Sequence, residues 1–307
     1  MSADAVDSRV RVGAVELANP VIAASGTFGY GTEFAGLVPL GAVGAIAVKG
    51  LSLRPYDGKP APRLIETPAG MLNAIGLQNI GVDAFVRDRL PDLVRAGARV
   101  VANFWGDSPE EFAACAERLD GAPGVVALEL NAASPNRPEW GGVIAADPSA
   151  LARVVRAVRP RVRSPLWVKL SPNTADIVGV GRAAAAEGAD ALCAINTLRG
   201  MAVDLEARRP ALASTTGGLS GPAIKPVALA MVYALTRAVT VPVVGIGGIR
   251  DGGDALEFLA CGASAVQVGT ATFYDPTAPV RVAREIERWC RRRGIRAVRE
   301  VCGSLER

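Results

Sequence analysis

One phrase recurs four times along the chain: VPLGAVGAIAVKG at 38–50, VRAGARVVANFWG at 94–106, AAEGADALCAINT at 185–197 and LACGASAVQVGTA at 259–271. Each reads as the end of a helix, a Gly-Ala step and then a short aliphatic strand. Glycine tolerates the left-handed conformation just past a helix C-terminus, so Gly41, Gly97, Gly188 and Gly262 are expected to cap helices that lead into strands. Further strands are expected near Val21–Ala24, Val125–Asn131, Leu166–Leu170 and Val243–Ile246, which makes eight. The strands are aliphatic throughout rather than alternating with polar residues, as a parallel sheet buried on both faces requires. Helix starts are marked as well: Ser108-Pro109-Glu110-Glu111 reads as a capping box with proline at the first helical position, and Asp147-Pro148 opens the next helix in the same way. Eight such units predict a (β/α)8 barrel with short inserts at its C-terminal face, with a doubly wound open sheet as the structural alternative. Barrels of this kind reach about 250 residues as one domain, so residues 1–307 are expected to form a single domain.

Composition narrows the chemistry. The chain has no histidine, which excludes Ser-His-Asp triads, histidine-ligated metals and imidazole acid–base catalysis. Its five cysteines, at 115, 193, 261, 290 and 302, include no CxxC pair, so neither a disulfide framework nor a cysteine-held metal is expected. A reducing cytoplasm fits that usage. The 34 basic and 30 acidic side chains give a net charge of +4. The densest basic run, Arg291-Arg292-Arg293, sits where it complements a helix C-terminus, and no aromatic-interleaved basic stripe points to nucleic acid. The N-terminus lacks a secretion pattern, and no apolar run is long enough for a membrane span.

Polar residues fall at matching places, the C-terminal ends of the strands: Ser25, Lys49, Asn103, Asn131, Lys169 and Asn196, then Gly247-Gly248 and Gly269-Thr270. On a barrel these converge on one rim, where catalytic residues of such folds come from. The glycines after the last two strands expose backbone N–H groups at helix N-termini, which predicts a phosphate site. Lys49 and Lys169 lie inside aliphatic runs, where a buried charge needs an anion or an electron-rich ring. A Schiff base, a structural ion pair and stabilisation of a reduced flavin are all open on these residues alone. Trp105 and Trp140 read equally as packing aromatics and as pocket walls.

Beyond these features, the chain resembles the dihydroorotate dehydrogenases over about residues 17–280, and within them the soluble branch that passes electrons to NAD through a partner subunit. The resemblance rests on NPVIAASGTFGYG (19–31), ETPAGMLNAIGLQNIGVDAF (66–85), VKLSPNTADIV (168–178), INTLRGMAVD (195–204), TTGGLSGPAIKP (215–226) and GIGGIRDGGDALEFLACGASAVQVGTA (245–271). It implies an FMN-dependent oxidoreductase that converts dihydroorotate to orotate in pyrimidine biosynthesis. It further implies that Ala24, Ser25, Gly26, Lys49, Asn103, Asn131 and Ile195 border the flavin, with Lys169 at the ring edge where its charge stabilises the reduced form. Gly218, Gly221, Gly247, Gly248, Gly269 and Thr270 are implied at the phosphate. A planar, amide-rich, anionic substrate is implied among Lys49, Asn73, Ala74, Ile75, Gly76, Leu77, Asn131, Asn136, Asn196 and Thr197. The implied partners are an FAD- and iron–sulfur-bearing electron-transfer subunit and further copies of this chain. Fumarate is the other acceptor the resemblance leaves open.

In one residue the chain departs from that soluble branch. Its pattern Asn-x-Ser-Cys-Pro-Asn carries a cysteine base, whereas residues 131–136 here read NAASPN and place Ser134 at that position. The quinone-linked branch uses serine, so Ser134 is expected to be the proton-abstracting base, with Lys49 beside it. The loop RPEWGGVIAA after Asn136 and the bulky Phe104-Trp105 pair differ from the family pattern as well. The alternatives are a related flavoenzyme redirected to another small substrate in specialised metabolism, and a flavin-holding scaffold without turnover.

Overall fold

The computed structural model describes residues 5–135 and 143–306. Eight parallel strands close into a barrel in chain order: β1 (Val21–Ala23), β2 (Ala45–Ala47), β3 (Val100–Phe104), β4 (Val125–Leu130), β5 (Leu166–Lys169), β6 (Ala191–Ala194), β7 (Val243–Ile246) and β8 (Ala265–Val268), with β8 pairing back onto β1. The fold is therefore a (β/α)8 barrel, and the open-sheet alternative does not apply. These strands are aliphatic because both of their faces are covered. Residues of β3 are buried without exception, one face toward the barrel interior and the other toward the helices.

The helices are α1 (Val82–Asp88), α2 (Leu90–Arg95), α3 (Pro109–Leu119), α4 (Pro148–Val158), α5 (Ile177–Ala186), α6 (Lys225–Ala238), α7 (Gly252–Ala260) and α8 (Ala278–Arg292). The N-caps follow the expected chemistry, although the expected capping box at Ser108 is only half made, since Glu111 accepts from the Asp107 N–H at 3.0 Å. The Ser108 hydroxyl accepts from the Glu111 N–H at 3.2 Å, and Asp147 accepts from the Ala150 N–H at 2.6 Å, each with proline at the first helical position. Gly97, Gly188 and Gly262 have positive φ past the ends of α2, α5 and α7, as expected of caps. Gly41 does not. It lies inside a 3-10 turn, Leu40–Ala42, because the β1–β2 connection, broken up by Gly31, Gly36, Pro39 and Gly41, contains only two such turns.

An antiparallel hairpin, Val10–Val12 with Val15–Leu17, precedes the barrel and buries its valines and leucine while Arg11 and Glu16 face outward. Its turn residue Gly13 lies against Asp190 and Pro242, which lead into β6 and β7, so the hairpin covers the N-terminal end of the barrel. At the opposite end two inserts combine into one four-stranded antiparallel sheet. Leu64–Thr67 and Gly70–Asn73 come from the segment after β2, and Leu198–Gly200 and Gly217–Ser220 from the segment after β6. This rim sheet has its own small apolar centre of Leu72, Ala74 and Leu212. It forms a wall above the C-terminal ends of the barrel strands.

Candidate active site

Between the strand ends and the rim sheet lies a cavity of about 310 Å³. Almost every expected residue lines it. Ala24, Ser25 and Gly26 follow β1, Lys49 follows β2, Asn103 lies in β3, Asn131 and Ser134 follow β4, and Lys169 ends β5. Ile195, Asn196 and Thr197 follow β6, Gly247 and Gly248 follow β7, and Gly269 and Thr270 follow β8. The rim contributes Asn73, Ile75, Gly76, Leu77 and Gly221.

Two expected residues are not in the wall. Ala74 turns into the apolar centre of the rim sheet. Gly218 sits within a rim strand, where a Cβ would meet Thr197 Oγ1 at 2.1 Å, and its carbonyl accepts from Asn73 Nδ2 at 3.2 Å. Gly218 therefore shapes the cavity by letting Thr197 and Asn73 approach. Asn136 and Trp140 lie outside the described residues. Trp105 is buried away from the cavity, edge-on to Tyr56 with ring centroids 5.6 Å apart, and Phe104 packs on Phe112 in the same way. Both act as packing aromatics.

The floor of the cavity is a buried polar cluster on inward-facing strand positions. Glu129 of β4 has no exposed surface, and Lys169 is 4% exposed. Glu129 Oε1 accepts from Asn103 Nδ2 at 2.5 Å and lies 3.5 Å from Lys169 Nζ, while Oε2 accepts from Gln267 Nε2 at 2.5 Å. Ser25 bridges the pair, its hydroxyl accepting from Lys169 Nζ at 3.1 Å and donating to Glu129 Oε1 at 3.4 Å. Asn103 Oδ1 in turn accepts from Asn131 Nδ2 at 3.2 Å. Burial pushes the Glu129 carboxyl up, but the Lys169 charge and the bonds from Gln267 and Asn103 outweigh it and hold the group below its ordinary range. Glu129 is thus an anion, and the cluster is a compensated charge pair under the cavity.

The surface that faces the cavity is cationic. Among the described lining residues there is no carboxylate, while Lys49, Lys169 and Arg250 supply cationic groups, the last two paired with Glu129 and Asp254 behind the wall. Burial, with a further push from the Arg63 guanidinium, lowers the Lys49 ammonium below the usual lysine range against an opposing pull from Glu33. An anionic ligand near Lys49 would offset that burial. At the β7–β8 side, Gly247 and Gly248 take φ of 130° and 73°, where a side chain would be strained and a Cβ would crowd Ala228 and Lys225. α7 begins just beyond, with Asp251 capping it through the Asp254 N–H at 2.9 Å. Thr270 Oγ1 donates to Ser220 Oγ at 2.8 Å, joining the β8 end to the rim. This glycine-lined corner at a helix start is suited to a phosphate.

Ser134 is 5% exposed and faces the cavity from the turn after β4. The backbone there is tied down, since the Ala133 N–H bonds Asn131 Oδ1 at 3.4 Å and the Ala145 N–H bonds the Ala132 carbonyl at 3.0 Å.

Sequence reasoning missed Glu129, Gln267 and Arg250. The first two were detectable, because a charge or an amide inside VVALEL or SAVQVGT breaks an aliphatic strand as plainly as Lys169 does. Arg250 reaches the cavity because Asp254, itself almost fully buried, accepts from both its backbone N–H and Nε at 2.9 Å. No local pattern announces that contact.

A family model described as dihydroorotate dehydrogenase matches residues 8–289. Among curated proteins, the chain is similar to the catalytic subunit of dihydroorotate dehydrogenase B (NAD(+)) from several bacteria. It is 55% identical to that of Geobacter sulfurreducens over 300 residues, covering 98% of each chain. It is 53% identical to that of Pelobacter propionicus over 300 residues, covering 98% of this chain and 99% of the relative. For Trichlorobacter lovleyi the identity is 54% over 297 residues, covering 97% and 98%.

Proposed function

We propose, since this chain belongs to the dihydroorotate dehydrogenase family, that it is an FMN-dependent dehydrogenase oxidising dihydroorotate to orotate in pyrimidine biosynthesis. The family is flavin-dependent, and the cavity suits a phosphorylated flavin in three respects. Its volume is in the range of cofactor sites, roughly 300–1,000 Å³. Its β7–β8 corner offers glycine backbone to a phosphate, and its floor offers the Lys169 ammonium to a ring. When bound, the flavin supplies the two-electron acceptor for converting a carbon–carbon single bond to a double bond.

The chain's own residues do the rest. Lys49 pairs with the substrate carboxylate, and the amides of Asn73, Asn131 and Asn196 meet the N–H and C=O groups of its ring. Thr197, Ile75, Gly76 and Leu77 close around it. Ser134 takes the proton. A hydroxyl is a weak base and needs help. Its own proton must pass to solvent as it takes the substrate's, and the cationic wall of Lys49 and Lys169 favours that change, since a positive charge stabilises an alkoxide more than a neutral hydroxyl.

The observation that carries this reading is the charge of the cavity: cations and amides without a carboxylate among the described lining residues, over a glycine-lined corner. The relatives are named as catalytic subunits, so a partner subunit belongs to the reading. We assign to it the FAD and iron–sulfur cluster that pass electrons to NAD, the acceptor in the relatives' names. Among the described residues, no helix is long and apolar enough to cross a membrane.

Anaerobic mixing of the FMN-loaded chain with dihydroorotate tests the proposal. The yellow colour should bleach within one turnover and return with oxidant. Flavin that stays oxidised with dihydroorotate would overturn the substrate assignment.

A further inference from the structure

We propose that Glu129 is a positioning residue, which from beneath the cavity floor holds the Lys169 ammonium in place and fixes the direction of the Asn103–Asn131 amide chain. Glu129 does not line the cavity and has no exposed surface, so it touches neither cofactor nor substrate. Its influence passes through what it binds.

A carboxylate only accepts, and this fixes the amides in turn. Because Glu129 Oε1 lies 2.5 Å from Asn103, the amide must present Nδ2 to it, which leaves Asn103 Oδ1 for Asn131 Nδ2 at 3.2 Å. Asn131 Oδ1 is thereby turned to the Ala133 N–H, at 3.4 Å, in the turn that carries Ser134. On the other side, Lys169 Nζ sits between Glu129 and Ser25. Removing the carboxylate would leave this ammonium, 4% exposed, held by the Ser25 hydroxyl without its counter-charge. The titratable groups facing Lys169 from neighbouring strands are Glu129 on β4 and Cys193 on β6, and Lys49 shares the cavity wall. Burial raises the Cys193 thiol well above its ordinary range, with the Glu129 charge adding to it, so that thiol stays neutral and contributes no charge of its own.

The inference rests on the FMN reading above, and its test separates the two. The midpoint potential of the bound flavin is measured against pH for the parent, Glu129→Gln, Glu129→Asp and Glu129→Gln/Lys169→Met. Glu129→Gln should lower the potential, because the ammonium is no longer held beneath the ring, whereas loss of the carboxylate charge alone would raise it. Glu129→Asp should follow the parent, and the double variant, which has no ammonium, should lie at or below Glu129→Gln. A Glu129→Gln curve that superimposes on the parent's or lies above it would overturn the proposal. If that variant does not fold, thermal midpoints decide. Lys169→Met strands a buried carboxylate and should melt well below the parent at pH 8, and adding Glu129→Gln should restore much of the loss. Equal melting of the single and double variants would overturn the proposal. A parent chain that binds no FMN would overturn the cofactor reading, while the melting comparison would still judge Glu129.

Discussion

Replacing Gly248 by alanine isolates the glycine-lined corner from the rest of the site. The residue has a φ of 73°, and a Cβ there would lie 2.7 Å from Lys225 Cβ and 2.9 Å from both the Gly221 carbonyl oxygen and the Lys225 N. The left-handed conformation alone costs an alanine about 1–2 kcal/mol. Two of the close atoms are backbone and can yield only if the β7–α7 turn moves, which adds about 1–3 kcal/mol. The sum, about 2–5 kcal/mol, is a fraction of the roughly 5–15 kcal/mol that holds a domain together, so the protein should fold. Its thermal midpoint should drop by roughly 4–10 °C, at about 2 °C per kcal/mol for a chain of this size. The larger effect is on the cofactor. A turn displaced by a few tenths of an ångström forfeits a backbone bond to phosphate worth about 1.5–3 kcal/mol, a roughly 10- to 150-fold weaker FMN affinity. Gly121→Ala provides the control, because Gly121 has a similar φ of 68° but no atom within 4 Å of its Cβ. It should cost only the conformational term and leave FMN untouched. Fluorescence of released FMN on dilution, with thermal melts of the FMN-free proteins, measures both quantities. If Gly248→Ala holds FMN as tightly as the parent and melts with Gly121→Ala, the corner does not bind phosphate.

Three further outcomes follow from the same geometry. Ser134→Ala should slow flavin reduction by dihydroorotate by about 10²–10⁴-fold, as loss of a proton acceptor does, with FMN still bound; Ser134→Cys should keep or raise the rate, and near-parent rates in the alanine variant would remove Ser134 from the chemistry. Burial, aided by Arg63, depresses the Lys49 ammonium, and only its protonated form pairs with a carboxylate, so orotate affinity should fall with rising pH from below the ordinary lysine value of about 10.4; spectral titration should find this loss in the parent and not in Lys49→Arg. A thiol reagent should modify at most Cys261 and Cys302 in the native protein, since Cys115, Cys193 and Cys290 are buried, and all five cysteines after denaturation; rapid labelling of a third thiol in the folded state would contradict the packing described.

What could be read in the sequence was what is local. The Gly-Ala step before a strand and the Ser-Pro and Asp-Pro helix starts depend on residues within four or five positions, and all but Gly41 behave as read. Gly41 misled because a cap needs a helix before it, and residues 31–41, with three glycines and a proline, cannot sustain one. The rim sheet was not legible, because its central pairing joins Asn73 to Gly218 across 145 residues and its strands carry no alternating apolar pattern. The misplacement of Gly218 and Ala74 follows from that, since matching a stretch by similarity does not say which face of an unseen strand a residue occupies.

Glu129 is a different kind of miss. A charge within an aliphatic strand, such as Lys169, needs a counter-charge, and the polar strand ends alone do not supply one. On a parallel barrel, positions two apart in a strand share a face. Glu129 therefore shares the inward face of β4 with Asn131, two residues on, and that face also meets Asn103 directly across the β3–β4 pairing. The demand for a partner to Lys169, combined with period-two parity, singles out the one acid in VVALEL. Polar residues at strand ends identify what a ligand touches, whereas those one step deeper identify what holds the touching residues in place. In this barrel the second set is legible by the same desolvation argument that finds the first, once a buried charge is taken to require its counter-ion on a neighbouring strand.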